Sequence, residues 1–280
     1  MTSDKRAGLS VVLITHDAAT VLERTLRSVA WADEIVVLDS GSTDGTRELA
    51  AKLGARVLLE TDWHGFGHQK SRALEQATGE WILLLDADEV VDETLAAAMR
   101  KAVAAPGQAL AFTVKRRSFF CGVPVRQGAW REETLPRLFL RGHGRVSEDT
   151  VHEVVLVDGP VGRLEGALLH FTSPSFSERI LKNDDYTSRI AEERFRAGKH
   201  ASWWQLLLIM PLSLVRDVVL RGGIRDGRTG IVVAGINAFY AFSKYAKLWE
   251  LEVRARQGRE LDLVEKGVPP GLARARKRSS

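Results

Sequence analysis

The chain has one cysteine, Cys121, among 280 residues, which excludes an internal disulfide and suits a reducing compartment. Residues 1–8, MTSDKRAG, lack the apolar stretch of a secretory leader, so the expected location is the cytoplasm. No G-x-G-x-x-G follows the first apolar run, where THDAAT stands instead. This disfavours an NAD or FAD site. No G-x-x-x-x-G-K-[ST] phosphate loop occurs either. The aromatic and basic motifs of dedicated nucleic-acid folds are missing, so nucleic acid is not expected as a partner. There is no internal repeat.

What is present is apolar and unevenly charged. Residues 1–100 carry 10 Lys+Arg against 17 Asp+Glu, and the other 180 carry 30 against 19. The basic remainder suits phosphates, on a membrane surface or on a phosphorylated substrate. The first half alternates apolar runs with amphipathic segments. LSVVLIT (9–15), EIVVL (34–38), the short run 56–59 and WILLL (81–85) read as strands. DAATVLERTLRSVA, TDGTRELAAKL and GHQKSRALEQAT read as helices between them, with Gly54 and Gly79 as C-terminal punctuation. Strand and helix in alternation, joined by short connections, predict a mostly parallel, doubly wound α/β sheet.

Ligands in such sheets bind beyond the carboxyl ends of the strands. Those ends are Thr15-His16-Asp17, Asp39-Ser40-Gly41 and Asp86-Ala87-Asp88. All three are polar. In DADE (86–89), a turn lets Asp86 and Asp88 reach one ligand, and carboxylate oxygens suit Mg²⁺ or Mn²⁺ holding a diphosphate. The bland reading of D-x-D is a helix N-cap, but Asp92 already supplies that cap for ETLAAAMRKAV. LDSGSTDGT (38–46) reads by itself as a turn and a helix start.

From residue 108 the style changes. ALAFTVKRRSFF, TLPRLFL, VHEVVLV and GRLEGALLHF read as strands, and SFSERILKNDDYTSRIAEERFRAG as a helix. Arg116, Arg126, Arg131, Arg137, Arg141 and Arg145 crowd this stretch. Most of them are expected on a solvated sheet face, although guanidinium forks also suit an acidic or phosphorylated acceptor. Trp203–Leu220 is nearly long enough to span a bilayer, but Pro211, Arg216 and Asp217 interrupt it. It reads as an interfacial or partly re-entrant helix with a Trp pair and flanking arginines at headgroup level. The other reading is a helix packed on the core or on a dimer partner. GLARARKRSS forms a basic tail.

The succession LSVVLIT, LDSGSTDGT, TGEWILLLDADE resembles the family 2 glycosyltransferases of the GT-A (Rossmann-like) fold over residues 8–175. VHEVV, LLHFT and RGGIRDGRTGIVVA resemble a narrower group, the lipopolysaccharide core glucosyltransferases that modify inner-core heptose. The resemblance implies a GT-A domain over 1–175, a helical membrane-interfacial region over 176–265 and a disordered tail over 266–280. It implies that Asp39 hydrogen-bonds the nucleotide base, with Thr15 and Asp17 lining the same pocket. Asp86 is implied at the ribose or metal, and Asp88 at the metal. His170, ending ALLHF, is a candidate third ligand. Lys70 either reaches the nucleotide or is a solvated lysine. Inversion at the anomeric carbon needs a base. Family position selects Glu153 of VHE, with Asp149 next; Glu148 and Asp149 are expected in a solvated loop, and His152 alternates away from Glu153.

The implied reaction moves a hexose, glucose foremost, from a UDP-linked donor to a lipid-anchored saccharide. Mg²⁺ or Mn²⁺ is the implied cofactor, and the implied place is peripheral or monotopic on the inner face of the cytoplasmic membrane. A polyprenyl-phosphate or other glycolipid acceptor, and a non-catalytic nucleotide-sugar-binding or scaffold protein, are the alternatives.

Overall fold

The structure is a computed structural model describing residues 8–147, 154–259, 261 and 263. The chain divides into two compact units. One comprises residues 1–117 and 133–170, the other 118–132 and 171–280.

The first unit opens with β1 (Leu9–Thr15), α1 (Ala19–Ser28), β2 (Glu34–Asp39), α2 (Thr46–Lys52), β3 (Arg56–Leu59), α3 (Phe66–Glu75) and β4 (Trp81–Asp86). β1 pairs in parallel with both β2 and β4, and β2 with β3. β1, β2 and β4 are apolar on both faces because both faces are covered. Val11, Leu13, Val37, Leu83 and Leu85 pack into one cluster with Leu22 and Leu26 of α1. Val12, Ile14, Val36, Leu38, Ile82 and Leu84 pack into another with Ala73 of α3. The side-chain period of two sorts consecutive residues to opposite faces.

After β4 come β5 (Glu89–Val91), α4 (Glu93–Ala104), β6 (Ala111–Phe120), β7 (Val123–Val125), β8 (Glu133–Leu140), β9 (Gly144–Val146), β10 (Val155–Val157) and β11 (Val161–Ser173). The strand order is β3-β2-β1-β4-β8-β6-β11-β5. The sheet is therefore mixed. Its β3-β2-β1-β4 half is parallel, whereas β8 is antiparallel to both β4 and β6, and β5 to β11. Asp92 caps α4 as the sequence predicts, accepting from the Leu95 amide at 2.7 Å, and its other oxygen takes the Ala167 amide at 3.0 Å. That contact draws β11 against the start of α4 at Gly166, whose φ is +88°.

In the second unit, β7 pairs with the end of β6. The helices are α5 (Phe176–Arg196), α6 (Trp203–Val215) and α7 (Gly227–Arg256). Ser175 caps α5, and Ser202 with Gln205 forms a capping box at α6. A π-helical segment, Arg216–Leu220, extends α6. In it Asp217 is buried between Arg216 (2.9 Å) and Arg221 (3.1 Å). Asp226 accepts the Arg126 and Gln127 amides at 2.8 and 2.7 Å, tying residues 118–132 into this unit.

Candidate active site

Parallel pairing puts three polar strand ends side by side in the first unit. Thr15 stands in register with Asp39, and Ile14 with Asp86. Each belongs to a strand driven through the core by its apolar run, so the polarity begins where the strand leaves the sheet.

At the β1–β2 side, Asp39 is fully buried. Its Oδ2 accepts from the Thr15 hydroxyl at 2.8 Å and the Ser42 hydroxyl at 2.5 Å. Its Oδ1 accepts the Gly41 and Ser42 amides at 3.0 and 2.8 Å. Four donors fill the roughly four acceptor sites of a carboxylate. A base contact by Asp39 itself therefore requires one of these donors to leave. In this arrangement Asp39 and Thr15 fix the loop after β2. Gly41, at φ +92°, supplies the left-handed turn this needs. Asp17, exposed and at φ 44°, straps the same loop to β1. Its Oδ1 accepts the Thr43 amide at 2.8 Å, and its amide donates to Ser42 Oγ at 2.9 Å. Buried Gln69 donates to Ser40 Oγ at 3.0 Å and anchors the loop from α3. The His16 imidazole has its Nε2 3.5 Å from Asp17 Oδ2, and neither ring nitrogen is hydrogen-bonded.

The β4 side is an ion cluster. Lys70 is buried, not solvated, and its Nζ lies 2.5 Å from Asp86 Oδ1. Arg137 Nη2 lies 2.8 Å from Asp86 Oδ2 and 2.7 Å from Glu89 Oε1. Arg116 reaches Glu89 at 3.3 Å and also pairs with Glu133. Glu89, fully buried, accepts the Asp86 amide through Oε2 at 3.1 Å and so closes the turn between β4 and β5. Burial alone would raise the Asp86 pKa, but Lys70, Arg137 and Arg116 together hold it well below the usual carboxylate range. Burial opposes the charge of Arg137 too, and Glu89 and Asp86 overcome it and raise its pKa.

Asp86 thus spends both oxygens on cations. Asp88, at the tip of the turn, faces His170 instead, with Oδ1 3.4 Å from Nε2. The antiparallel register of β5 and β11 sets His170 opposite Glu89, which creates this approach. Burial lowers the Arg24 guanidinium in α1 from its ordinary value, and the charge of Asp88 acts against that. Among the described residues there is no group of three or more His, Cys, Asp and Glu placed to hold a metal ion. A carboxylate and an imidazole nevertheless fit a divalent cation that completes its shell with water and phosphate oxygens. Glu153 lies outside the described residues, as do Glu148, Asp149 and His152.

Local pattern does not reveal that Arg137 and Arg116 converge on Glu89. Most arginines of this stretch are expected on a solvated face, but Arg137 is buried and stands in the apolar run LPRLFL. A charge in such a run signals a buried partner.

The glycosyl transferase family 2 model matches residues 10–156. The lipopolysaccharide core biosynthesis glycosyltransferase LpsC of Rhizobium meliloti (strain 1021) is 33% identical over 249 residues, spanning 86% of this chain and 92% of the relative. An uncharacterized glycosyltransferase of Rickettsia bellii (strain RML369-C) is 28% identical over 268 residues, spanning 88% and 87%. Among solved structures, residues 1–349 of S. aureus TarS align over 94% of this chain and 97% of that one, with TM-score 0.42 and 16% identity. With these strand ends, this matched span and a named relative aligned over nearly its whole length, the chain belongs to glycosyl transferase family 2.

Proposed function

We propose that this glycosyltransferase moves a hexose, glucose foremost, from a UDP-linked donor to a lipid-anchored saccharide of the lipopolysaccharide inner core, with inversion. The observation that carries the reading is the pairing of a charge-matched cluster with a separate Asp88–His170 pair at one sheet edge. Asp86, Glu89 and Glu133 face Lys70, Arg116 and Arg137, three carboxylates to three cations. The cluster therefore has no surplus cation for a diphosphate, and added positive charge is needed where the donor's phosphates sit. Mg²⁺ or Mn²⁺ held by Asp88 and His170 would supply that charge and stabilise the leaving diphosphate.

The chain's own groups do the rest. Thr15, Asp17 and Asp39 hold the loop that receives the nucleoside, and Lys70 keeps Asp86 ionised and fixed beside it. Glu153 takes the acceptor hydroxyl proton as that oxygen attacks the anomeric carbon. The name of the Rhizobium relative supports the lipopolysaccharide acceptor.

The second unit supports a membrane site of action. Trp203–Leu220 is the one segment among the described residues long and apolar enough to cross a bilayer, with mean hydropathy 1.4, and little of it is buried. Leu212 and Leu220 are 61% and 77% exposed. An apolar face of this extent marks an interaction surface. With Trp203 and Trp204 at one end and Arg216 and Arg221 at the other, it suits a peripheral or monotopic position on the inner leaflet.

The test is incubation of the enzyme with a panel of nucleotide sugars and membrane-lipid extracts, read by mass spectrometry. A hexose mass added to a lipopolysaccharide precursor is the expected product. Transfer onto a polyprenyl phosphate, or wild-type transfer by Asp88→Ala in metal-replete buffer, overturns the corresponding part.

A further inference from the structure

A groove opens between α5 and α7 of the second unit, away in sequence from the strand-end residues of the first unit. Its volume is about 410 Å³, within the roughly 300–1,000 Å³ of small-molecule sites. Ile180, Leu181, Phe239, Phe242 and Ala246 give it apolar walls, and Asn183, Asp184, Ser243 and Lys247 are its polar groups. Leu181 and Phe239 stand at 54% and 43% exposure.

Its most unusual member is Asn183. The residue is 3% exposed, and neither its carboxamide oxygen nor its nitrogen has a hydrogen-bond partner. Buried amides are almost always satisfied, and leaving one unpaired is costly. The neighbouring polar groups are held in place. Lys247 Nζ donates to Asp184 Oδ1 and Ser188 Oγ, each at 2.8 Å, and to the Asp184 carbonyl. Ser243 Oγ donates to the Phe239 carbonyl at 2.8 Å.

The chemistry of the missing partner follows from this set. A hydrocarbon chain would match the walls but leave both ends of Asn183 unsatisfied. An anion would accept from the Asn183 amide, but it would offer nothing to Oδ1 and would meet the Asp184 carboxylate. A ring bearing adjacent hydroxyls has donors and acceptors together, and its C–H faces pack on phenyl rings. We infer that the α5–α7 groove is a saccharide subsite, in which the carboxamide of Asn183 pairs with ring hydroxyls and Phe239 and Phe242 hold the pyranose face. The inference rests on the proposed saccharide acceptor for the source of that ring.

The test uses the full chain without donor. Side-chain amide resonances are followed by ¹⁵N NMR during titration with methyl glucoside, methyl galactoside and methyl mannoside. Inorganic phosphate and decanoate are titrated in parallel. The expected result is a saturable shift of the Asn183 NH₂ pair with at least one glycoside in the millimolar range, abolished in the walls-only variant F242A. In N183L the same glycoside fails to protect the backbone amides of α5 against hydrogen exchange. Three results overturn the inference: no glycoside shifts Asn183, decanoate or phosphate shifts it as strongly, or N183L and F242A bind the glycoside like wild type. Because no donor is present, glycoside binding combined with failed transfer to any saccharide refutes the proposed reaction and leaves the subsite standing.

Discussion

Replacing Glu89 by glutamine perturbs the ion cluster with the smallest change of shape. Glu89 is fully buried and carries two guanidinium contacts, from Arg137 at 2.7 Å and Arg116 at 3.3 Å, besides the Asp86 amide. In the variant three cations face two carboxylates, and Arg137, 5% exposed, has lost half its compensation. Removing one partner of a buried pair costs about 3–5 kcal/mol. An exposed pair would lose at most about 1 kcal/mol. At roughly 2–4 °C per kcal/mol, the melting temperature should fall by about 6–20 °C. Urea unfolding and calorimetry provide the measurement. Arg137→Met made in the E89Q background restores equal numbers of charges, so the double variant should lose about 2–3 kcal/mol less than the sum of the singles. A loss below about 1 kcal/mol in E89Q, or strict additivity with R137M, would refute the view that Glu89 is the buried counter-charge of this site.

Four further outcomes follow from the same geometry. Asp88→Asn and His170→Ala should each abolish Mn²⁺ binding in calorimetry and lower kcat about 10²–10³-fold without changing thermal stability, and unchanged Mn²⁺ affinity would exclude that pair. Burial alone would raise the Glu34 pKa, but Ser10, Thr78 and Arg56 hold it at about 2, against an ordinary 4.5. The stabilisation is full above 4.5 and is lost as pH falls towards 2, so Glu34→Gln should flatten the acid limb of a stability–pH curve by about 1–2 kcal/mol after solvent screening. Gly166→Ala should leave little folded protein in a solubility assay, because the new Cβ would sit 2.3 Å from the Leu95 nitrogen at a backbone φ of +88°. Trp203→Ser with Trp204→Ser should release the protein from sedimenting anionic vesicles while activity on a soluble acceptor persists, and retained sedimentation would remove α6 from the membrane contact.

Local pattern carried the parallel half of the sheet because each strand there is an apolar run long enough to be read without its neighbours. WILLL needs burial on both faces wherever it lies, and Asp92 caps α4 with atoms three residues away. The three polar strand ends could be aligned on paper because parallel register follows from alternating strand and helix. The antiparallel half was harder. β5 is three residues long, and its pairing with β11 joins positions about eighty apart in sequence.

Sequence by itself therefore determined the α/β class and the gathering of Asp39, Asp86 and Asp88 at the carboxyl ends of the parallel strands. Tertiary structure alone decided what each carboxylate does. Asp39 is filled by three donors of its own loop and the Thr15 hydroxyl of β1, Asp86 is claimed by Lys70 and Arg137, and Asp88 is turned towards His170. The physical reason is that a carboxylate's role is set by the charges and donors within a few ångströms of it. Several of those neighbours, Arg137 of β8, Arg116 of β6 and His170 of β11, lie far along the chain, which hides them from any local pattern.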